Sequence, residues 1–311
     1  MAQETQQQLW LGWDVGGTKS AAVVGASDGT ILDRAEWPST AADGPDPMIR
    51  EFLSRARAMR DDHPAVRGAG VSIGGPLNPL TGVILSPPHL PGWDNVALAE
   101  ILRRELDLPV AVEHDAAACL LAEWLWGAAR GCSHVVYLTC GTGCGAGILI
   151  ANQILRGPDG QTPEAGHIRI APDGPVMFGK PGSAEAFGSG EGVGRLAHHM
   201  FPEAFREPAD PKALVELARS GDQRARAVLA ESARRTGQFC ALLADIFSPQ
   251  VILLGSLARY FGKDWVGGIE NEFRKEALPI NSRHTRIVPA ALGEKLQDLS
   301  AIAPCVHRSL G

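Results

Sequence analysis

The 311-residue sequence lacks several features that would assign a chain to a class of protein directly. It has no long basic run and a formal net charge of -6, which argues against nucleic acid as a partner. No apolar stretch approaches the roughly 20 residues that a membrane helix requires. The polar start MAQETQQQ lacks the apolar segment of a signal peptide. We therefore expect a cytoplasmic protein that has neither a membrane nor a nucleic acid as a partner.

Cysteines with the spacing of a zinc site are also missing. The chain has six cysteines, but none forms a Cys-x-x-Cys pair, and Cys140 and Cys144 alone are too few ligands for zinc. In a cytoplasmic chain of this length we expect reduced thiols. With 45% hydrophobic and 21% charged residues, the composition is that of an ordinary globular protein, and the length suits two lobes.

One arrangement of apolar runs and glycine turns occurs twice. The stretch LWLGWDVGGTKSAAVVG, from Leu9, is typical of a strand, a turn and a second strand, and HVVYLTCGTGCGAGILI, from His134, repeats it. Between them, DPMIREFLSRARAMRDD has helical spacing. We predict two related α/β lobes, residues 1–117 and residues 118–294. We also predict a C-terminal helix over residues 295–311 that returns to the first lobe.

Both repeats carry a turn rich in glycine and small hydroxyl residues. Glycine lets backbone N–H groups approach phosphate oxygens closely, so two such turns favour a nucleotide site, although each alone is also compatible with a hairpin turn or a β-bulge. Lys19 either reaches a phosphate or faces solvent. The predicted nucleotide contacts in the two turns are Asp14, Gly16, Gly17, Thr18, Lys19, Gly141, Thr142 and Gly143.

Two further positions combine a strand end with a helix start. Gly255 and Ser256 follow four apolar residues; the pattern suits an anion or a ribose edge, and equally an ordinary strand-to-helix turn. Asp115 stands in the first turn of a helix predicted over 116–126, where the helix dipole stabilises its ionised form. Such a carboxylate suits a general base or an N-cap, and both roles can hold together.

In this order the motifs resemble those of the ROK family of sugar kinases and sugar-responsive repressors. Besides the two glycine turns, the matching segments are GGPLNPLTGVIL, PPHLPGW, VEHDAAA, PEAGHI, GSAEAFGSG and SPQVILLGS, which span nearly the whole chain. The resemblance implies a two-lobed actin-like ATPase (ribonuclease H-like) α/β fold with a cleft between duplicated lobes. It also implies an ATP-dependent kinase that phosphorylates a hydroxyl of a hexose or amino sugar, with Mg²⁺ as cofactor and a homodimer as the expected assembly.

The resemblance assigns roles to individual residues. Asp115 matches the base that activates the sugar hydroxyl, and Asp14 would approach Mg²⁺ through water. Carboxylates and an imidazole offer hydrogen-bond partners of fixed geometry to neighbouring hydroxyls. The substrate contacts that the resemblance implies are Gly75, His89, His114, Asp115, Glu164, His167 and Glu185, and the adenosine segment adds Gly255 and Ser256.

The chain departs from the family pattern where a zinc ion is usual. Val176, Phe178 and Ser183 stand in the region of three cysteines, and one histidine, His167, cannot form a tetrahedral site. We therefore predict no structural zinc. Apolar packing by Val176, Met177 and Phe178 is expected to order this loop instead.

Departures in the substrate segments bear on specificity. His89 and His114 stand where the family commonly has Asn, and Ala117 replaces a further Asn. Asn offers both a donor and an acceptor, whereas a neutral imidazole offers one of each on a larger ring. These changes favour an altered sugar preference. They leave open a second function, a sugar-binding regulator or inactive relative, and since only about ten residues precede the first strand we expect no DNA-binding domain.

Overall fold

The computed structural model describes residues 8–206 and 208–310, which form two compact units. Unit 1 comprises the described residues up to Arg130, the segment Arg156–Thr162 and the described residues from Leu292. Unit 2 comprises Gly131–Leu155 and Pro163–Ala291. Each unit has its own hydrophobic core. The lobe limits and the cleft expected from the sequence stay predictions.

The strands of the described residues lie in two five-stranded sheets and two small ones. The strands of unit 1 are β1 Leu9–Val15, β2 Lys19–Ala26, β3 Ile31–Pro38, β4 Val66–Ile73, β5 Leu77–Asn78, β6 Val83–Leu85, β7 Asp94–Val96 and β8 Val110–His114. Those of unit 2 are β9 Val135–Leu138, β10 Ala146–Ile150, β11 Gln153–Ile154, β12 Val176–Met177, β13 Lys180–Pro181, β14 Val251–Leu254 and β15 Arg286–Pro289.

The α-helices follow the strands in both units. They are α1 Pro45–Asp62, α2 Leu98–Leu106, α3 Asp115–Trp126, α4 Ala184–Gly188, α5 Gly190–Met200, α6 Pro211–Arg219, α7 Gln223–Phe247, α8 Ser256–Phe261, α9 Lys263–Glu276, α10 Pro279–His284 and α11 Leu296–Ser309. Short 3-10 turns cover Ala41–Asp43, Ala165–His167 and Gly293–Lys295. Among the described helices none combines the length and the apolar character that crossing a bilayer demands.

The two main sheets have the same topology. In unit 1 the order is β3-β2-β1-β4-β8, with β1 antiparallel to β2 and parallel to β4. In unit 2 the order is β11-β10-β9-β14-β15, with β9 antiparallel to β10 and parallel to β14. The predicted duplication is confirmed, because each glycine turn connects the first two strands of its sheet. The carboxyl ends of parallel strands, where ligands of such sheets bind, lie at one edge.

Helices cover both faces of the sheet in unit 1. The helical spacing of α1 is confirmed, since its buried residues are Met48, Ile49, Phe52, Leu53, Ala56 and Met59. Trp13 of β1 stacks on Phe52 with ring centroids 4.4 Å apart. On the other face α11 packs closely against β4. A methyl group added at Gly70 would lie only 2.1 Å from the carbonyl oxygen of Ala301. This packing fixes β1 and β4, whose ends carry the first group of candidate site residues.

Candidate active site

The first glycine turn joins β1 to β2 and leaves its N–H groups available. Ser39 holds the turn through its hydroxyl, which donates to the Gly16 carbonyl at 2.6 Å, and through its N–H, which donates to the Thr18 carbonyl at 2.9 Å. Within the described part of the chain, the N–H groups of Gly16, Gly17 and Thr18 have no hydrogen-bond partner. Consecutive N–H groups without a partner are suited to binding an anion.

Close backbone approach explains both glycines of this turn. A methyl group at Gly16 would lie 2.6 Å from the carbonyl oxygen of Lys19, and one at Gly17 would lie 2.7 Å from that of His89. The exposed His89, which the sequence places among the substrate contacts, therefore lies directly beside the first turn.

Asp14, at the end of β1, has an unusual electrostatic environment. Burial and, to a smaller extent, the carboxylates of Asp115 and Asp298 raise its pKa to about 7, against the smaller opposing effects of Lys19 and Arg34. A divalent cation would relieve this concentration of negative charge, so Asp14 fits the water-mediated Mg²⁺ contact that the sequence predicts. The residues that the structure describes contain no cluster of three or more His, Cys, Asp or Glu side chains suited to a metal ion.

Lys19 belongs to a surface ion-pair network. Its Nζ lies 3.0 Å from Glu36, which also accepts from Arg34 at 2.6 Å. Arg34 in turn contacts both carboxylate oxygens of Asp298 at 2.9 Å. The Lys19 side chain is 65% exposed, so the network agrees with the solvent-facing alternative; its contact with a nucleotide stays a prediction.

Asp115 begins α3 directly after β8. The N–H of Ala116 donates to Asp115 Oδ1 at 2.6 Å and to His114 Nδ1 at 3.2 Å, and His114 is the N-cap residue of the helix. The cap that the sequence offered as an alternative role for Asp115 therefore belongs to His114. The Asp115 side chain is half exposed and accessible to a substrate.

Gly75 and His114, two of the predicted substrate contacts, lie in close contact with each other. A methyl group at Gly75 would lie 2.6 Å from His114 Cδ2 and 2.9 Å from its Nε2. The position therefore requires glycine as long as the imidazole keeps its place.

Arg156 is a residue that the sequence reasoning missed. It forms a bidentate ion pair with the buried Glu113, in which Nη1 lies 3.0 Å from Oε1. Glu113 Oε1 also accepts from the N–H of His114 at 3.0 Å. The pair attaches the Arg156–Thr162 segment to the strand end that carries Asp115. No local sequence pattern predicts this ion pair, because 43 residues separate its partners.

The second glycine turn, in unit 2, also has its carbonyl groups occupied. Gly190 N–H donates to the Gly141 carbonyl at 2.7 Å, and Glu191 N–H donates to the Thr142 carbonyl at 3.3 Å. The N–H groups of Thr142 and Gly143 have no partner among residues 8–206 and 208–310. This turn thus repeats the donor arrangement of the first.

Gly255 and Ser256 support the second turn from the end of β14. The Ser256 hydroxyl donates to the Cys140 carbonyl at 3.1 Å, and the Gly255 N–H donates to the Leu138 carbonyl at 2.8 Å. A methyl group at Gly255 would lie 1.9 Å from the Thr139 carbonyl oxygen. Both residues lie beside the turn, and their contact with adenosine stays a prediction.

Glu164, His167 and Glu185 belong to two segments that pack against the second turn. Glu185 Oε1 accepts from the Cys144 N–H at 3.1 Å, and the 3-10 turn that includes His167 packs so closely that a methyl group at Gly166 would lie 1.8 Å from the Cys144 carbonyl oxygen. Burial raises the pKa of Glu185; the Cys144 N–H opposes this, and the carboxylates of Glu191 and Glu164 raise the pKa further. The Glu164 carboxylate is thus near enough to Glu185 to influence its charge.

A two-stranded hairpin, β12 and β13, occupies the region of the missing cysteines. Met177 is buried in the core of unit 2, but Val176 is 53% and Phe178 70% exposed. The expected apolar packing is therefore correct for Met177 and wrong for Val176, while Phe178 contacts the ring of His167. The six cysteines all lie within the described residues, and none of them forms a disulfide there.

Two sheets of identical topology, each with a glycine turn between its first two strands, define an α/β protein of the actin-like ATPase fold. The chain belongs to the ROK family, whose model matches residues 10–295.

The similar proteins include kinases for two different sugars. A glucokinase from Streptomyces coelicolor is 30% identical over 302 residues, which is 92% of this chain and 94% of that protein. An N-acetylmannosamine kinase from Escherichia fergusonii is 31% identical over 79% of this chain and 81% of its own length. The crystal structure of a Streptomyces griseus ROK glucokinase with glucose and AMPPNP has a TM-score of 0.78 and 29% identity, covering 97% of this chain and 99% of that one. These relatives support the prediction of an ATP-dependent sugar kinase.

Proposed function

We propose that the protein is an ATP-dependent kinase for a hexose or amino sugar, with Asp115 as its general base. The observation that carries the proposal is the pair of glycine turns, in which five N–H groups have no partner among the described residues: those of Gly16, Gly17, Thr18, Thr142 and Gly143. Such donors suit the oxygens of a polyphosphate. The similarity to kinases named for glucose and for N-acetylmannosamine supports a sugar as the substrate. It does not decide between a hexose and an amino sugar.

In the proposed reaction a sugar hydroxyl oxygen attacks the γ-phosphorus of ATP, and Asp115 accepts the hydroxyl proton as the new P–O bond forms. The bond between the γ-phosphorus and the β,γ-bridging oxygen breaks, and ADP leaves. The N–H groups of Gly16, Gly17 and Thr18 and of Thr142 and Gly143 bind phosphate oxygens. Glu164, His167 and Glu185 accept from or donate to other sugar hydroxyls. Bound Mg²⁺, held through water by Asp14, would supply positive charge that neutralises the phosphates.

A catalytically inactive sugar-binding protein is the second candidate, and the specific observation that favours it is the replacement of asparagines by His89, His114 and Ala117. It differs from the first candidate in one measurable property, since it would bind sugar without transferring phosphate. The homodimer and the cytoplasmic location stay predictions.

The experiment is a phosphorylation assay of the purified protein with ATP, Mg²⁺ and a panel of hexoses and amino sugars. Binding of the same sugars is measured in parallel by calorimetry. Transfer to at least one sugar is the expected result. Sugar binding without any transfer would favour the inactive relative. The absence of both binding and transfer would overturn the assignment of a sugar as the ligand.

A further inference from the structure

The hairpin that stands in place of the family's cysteines presents an aromatic ring at its tip. Phe178 and Gly179 connect β12 to β13 with φ angles of 48° and 71°. Hairpin turns with two left-handed residues favour Asn, Asp and Gly, because a larger side chain is strained there. Phe178 is 70% exposed, so burial does not compensate for this strain. A smaller residue would suit this turn better, so the turn itself does not account for the phenylalanine.

The stem of the hairpin is held firmly. Met177 is buried in the core of unit 2, and the Lys180 ammonium donates to the His167 carbonyl. Below the strands, the Gly182 N–H donates to the Pro175 carbonyl at 3.2 Å. A ring on a fixed stem needs little further ordering when a ligand packs against it, which favours affinity.

The ring of Phe178 adjoins the proposed sugar site. It meets the imidazole of His167 edge to face, with ring centroids 6.4 Å apart and planes at 77°. The remaining surface of the ring is open, and the exposed Val176 on the same hairpin adds to the apolar area. An aromatic face next to a polar sugar contact offers a surface for the apolar face of another ring.

We propose that Phe178 forms a subsite for a second ring attached to the sugar, so that the preferred ligand is a disaccharide or an aryl glycoside rather than a free monosaccharide. The inference rests on the proposed function for the position of the first sugar at His167. Both ligand types share the required chemistry, an apolar ring face carried by a glycosidic oxygen.

The test measures binding by calorimetry for glucose and N-acetylmannosamine, for disaccharides that contain either, and for their phenyl glycosides. The wild type is expected to bind at least one two-ring ligand about tenfold more tightly than its parent monosaccharide, which corresponds to about 1.4 kcal/mol. Disaccharides and phenyl glycosides form separate arms, which distinguish a second sugar from an aryl group.

Phe178→Ala is expected to remove this tenfold preference and to change the affinity for the monosaccharide less than twofold. Phe178→Trp is expected to keep the preference. Ile280→Ala, which truncates another exposed apolar side chain of unit 2, serves as the matched control and is expected to change nothing. Phe178→Asn, which suits the left-handed turn, is expected to melt no lower than the wild type and so separates ligand binding from folding.

A wild type that prefers the monosaccharide would overturn the subsite and leave the proposed kinase intact. Equal weakening of both ligand types by Phe178→Ala would also overturn it, because the ring would then only orient His167. If the wild type binds none of these sugars, the proposed function fails and the subsite fails with it.

Discussion

His114 Nδ1 lies 3.1 Å from Asp115 Oδ1, and both atoms accept from the N–H of Ala116. Because Nδ1 is an acceptor in this arrangement, the hydrogen-bond pattern assigns the proton of the neutral imidazole to Nε2. His114 therefore presents a donor to a substrate, whereas the asparagine common in the family presents a donor and an acceptor. His114, next to the proposed base, thus requires the sugar oxygen that it contacts to act as a hydrogen-bond acceptor.

Replacing His114 by Asn is expected to change the order of preferred sugars. Asn is a good N-cap, so the free energy of unfolding should change by less than about 1 kcal/mol. The measurement is kcat/KM for each sugar of the panel, with urea unfolding as the control for stability. An unchanged order of preference would show that His114 does not contact the substrate.

Replacing Gly75 by Ala is expected to raise KM for the sugar about tenfold with KM for ATP unchanged. The new methyl group would lie 2.6 Å from His114 Cδ2 and must displace the imidazole. Gly74→Ala is the matched control, because a methyl group there meets no atom within 4 Å. The explanation fails if both variants raise KM equally.

Asp14→Asn is expected to stabilise the ligand-free protein at alkaline pH. The pKa of Asp14 is raised from 3.8 to about 7 in the folded protein, so the folded state binds more protons than the unfolded state between these values. The free energy of unfolding of the wild type therefore falls as pH rises through this window, by at most about 4 kcal/mol at 1.36 kcal/mol per pKa unit. Asn stays neutral and avoids this loss.

Thermal melting of the wild type and Asp14→Asn at pH 4 and pH 8 checks this sign. The two melting temperatures should be similar at pH 4, and the variant should melt several degrees higher at pH 8. If the wild type and the variant melt at the same temperature at pH 8 as well as at pH 4, the pKa of Asp14 is not raised in the folded protein. Adding Mg²⁺ and ATP should stabilise the wild type far more than the variant, which lacks the carboxylate.

Arg156→Met is expected to destabilise the protein by about 3 kcal/mol or more, because it leaves the buried Glu113 carboxylate without its partner. The double variant with Glu113→Gln should recover at least half of this loss, since it removes the uncompensated charge. Urea unfolding of the two single variants and the double variant gives the coupling free energy. Additive losses would indicate that the two side chains act independently.

How far the sequence predicts this structure depends on the range of the interactions. The buried face of α1 was predictable residue by residue, because helical periodicity is a local signal. The strand pairs around both glycine turns were predictable for the same reason. The Glu113–Arg156 pair was not, because its partners meet only after the chain has folded, and neither residue type at its position indicates a partner.

Candidate site residues could be named from the sequence mainly where a motif fixes both the residue type and its neighbours, and their roles stay predictions. The two glycine turns, with Asp14 and Asp115, are of this kind. The N-cap role of His114 was hidden because histidine is not a typical cap residue. The exposure of Phe178 at the hairpin tip was not expected, because an apolar side chain favours burial. Met177 in the stem of the hairpin is the residue that enters the core, and Phe178 lies in the turn beyond it.

The measurement that tests the central claim most directly compares phosphate transfer from ATP to the preferred sugar by the wild type and by Asp115→Asn, with sugar binding of both measured by calorimetry. Asn matches Asp in shape but cannot accept the hydroxyl proton, so we predict a loss of kcat of about a hundredfold to ten-thousandfold. The sugar Kd should stay within about threefold of the wild-type value. A variant that binds sugar normally and transfers phosphate at close to the wild-type rate would contradict the assignment of Asp115 as the general base.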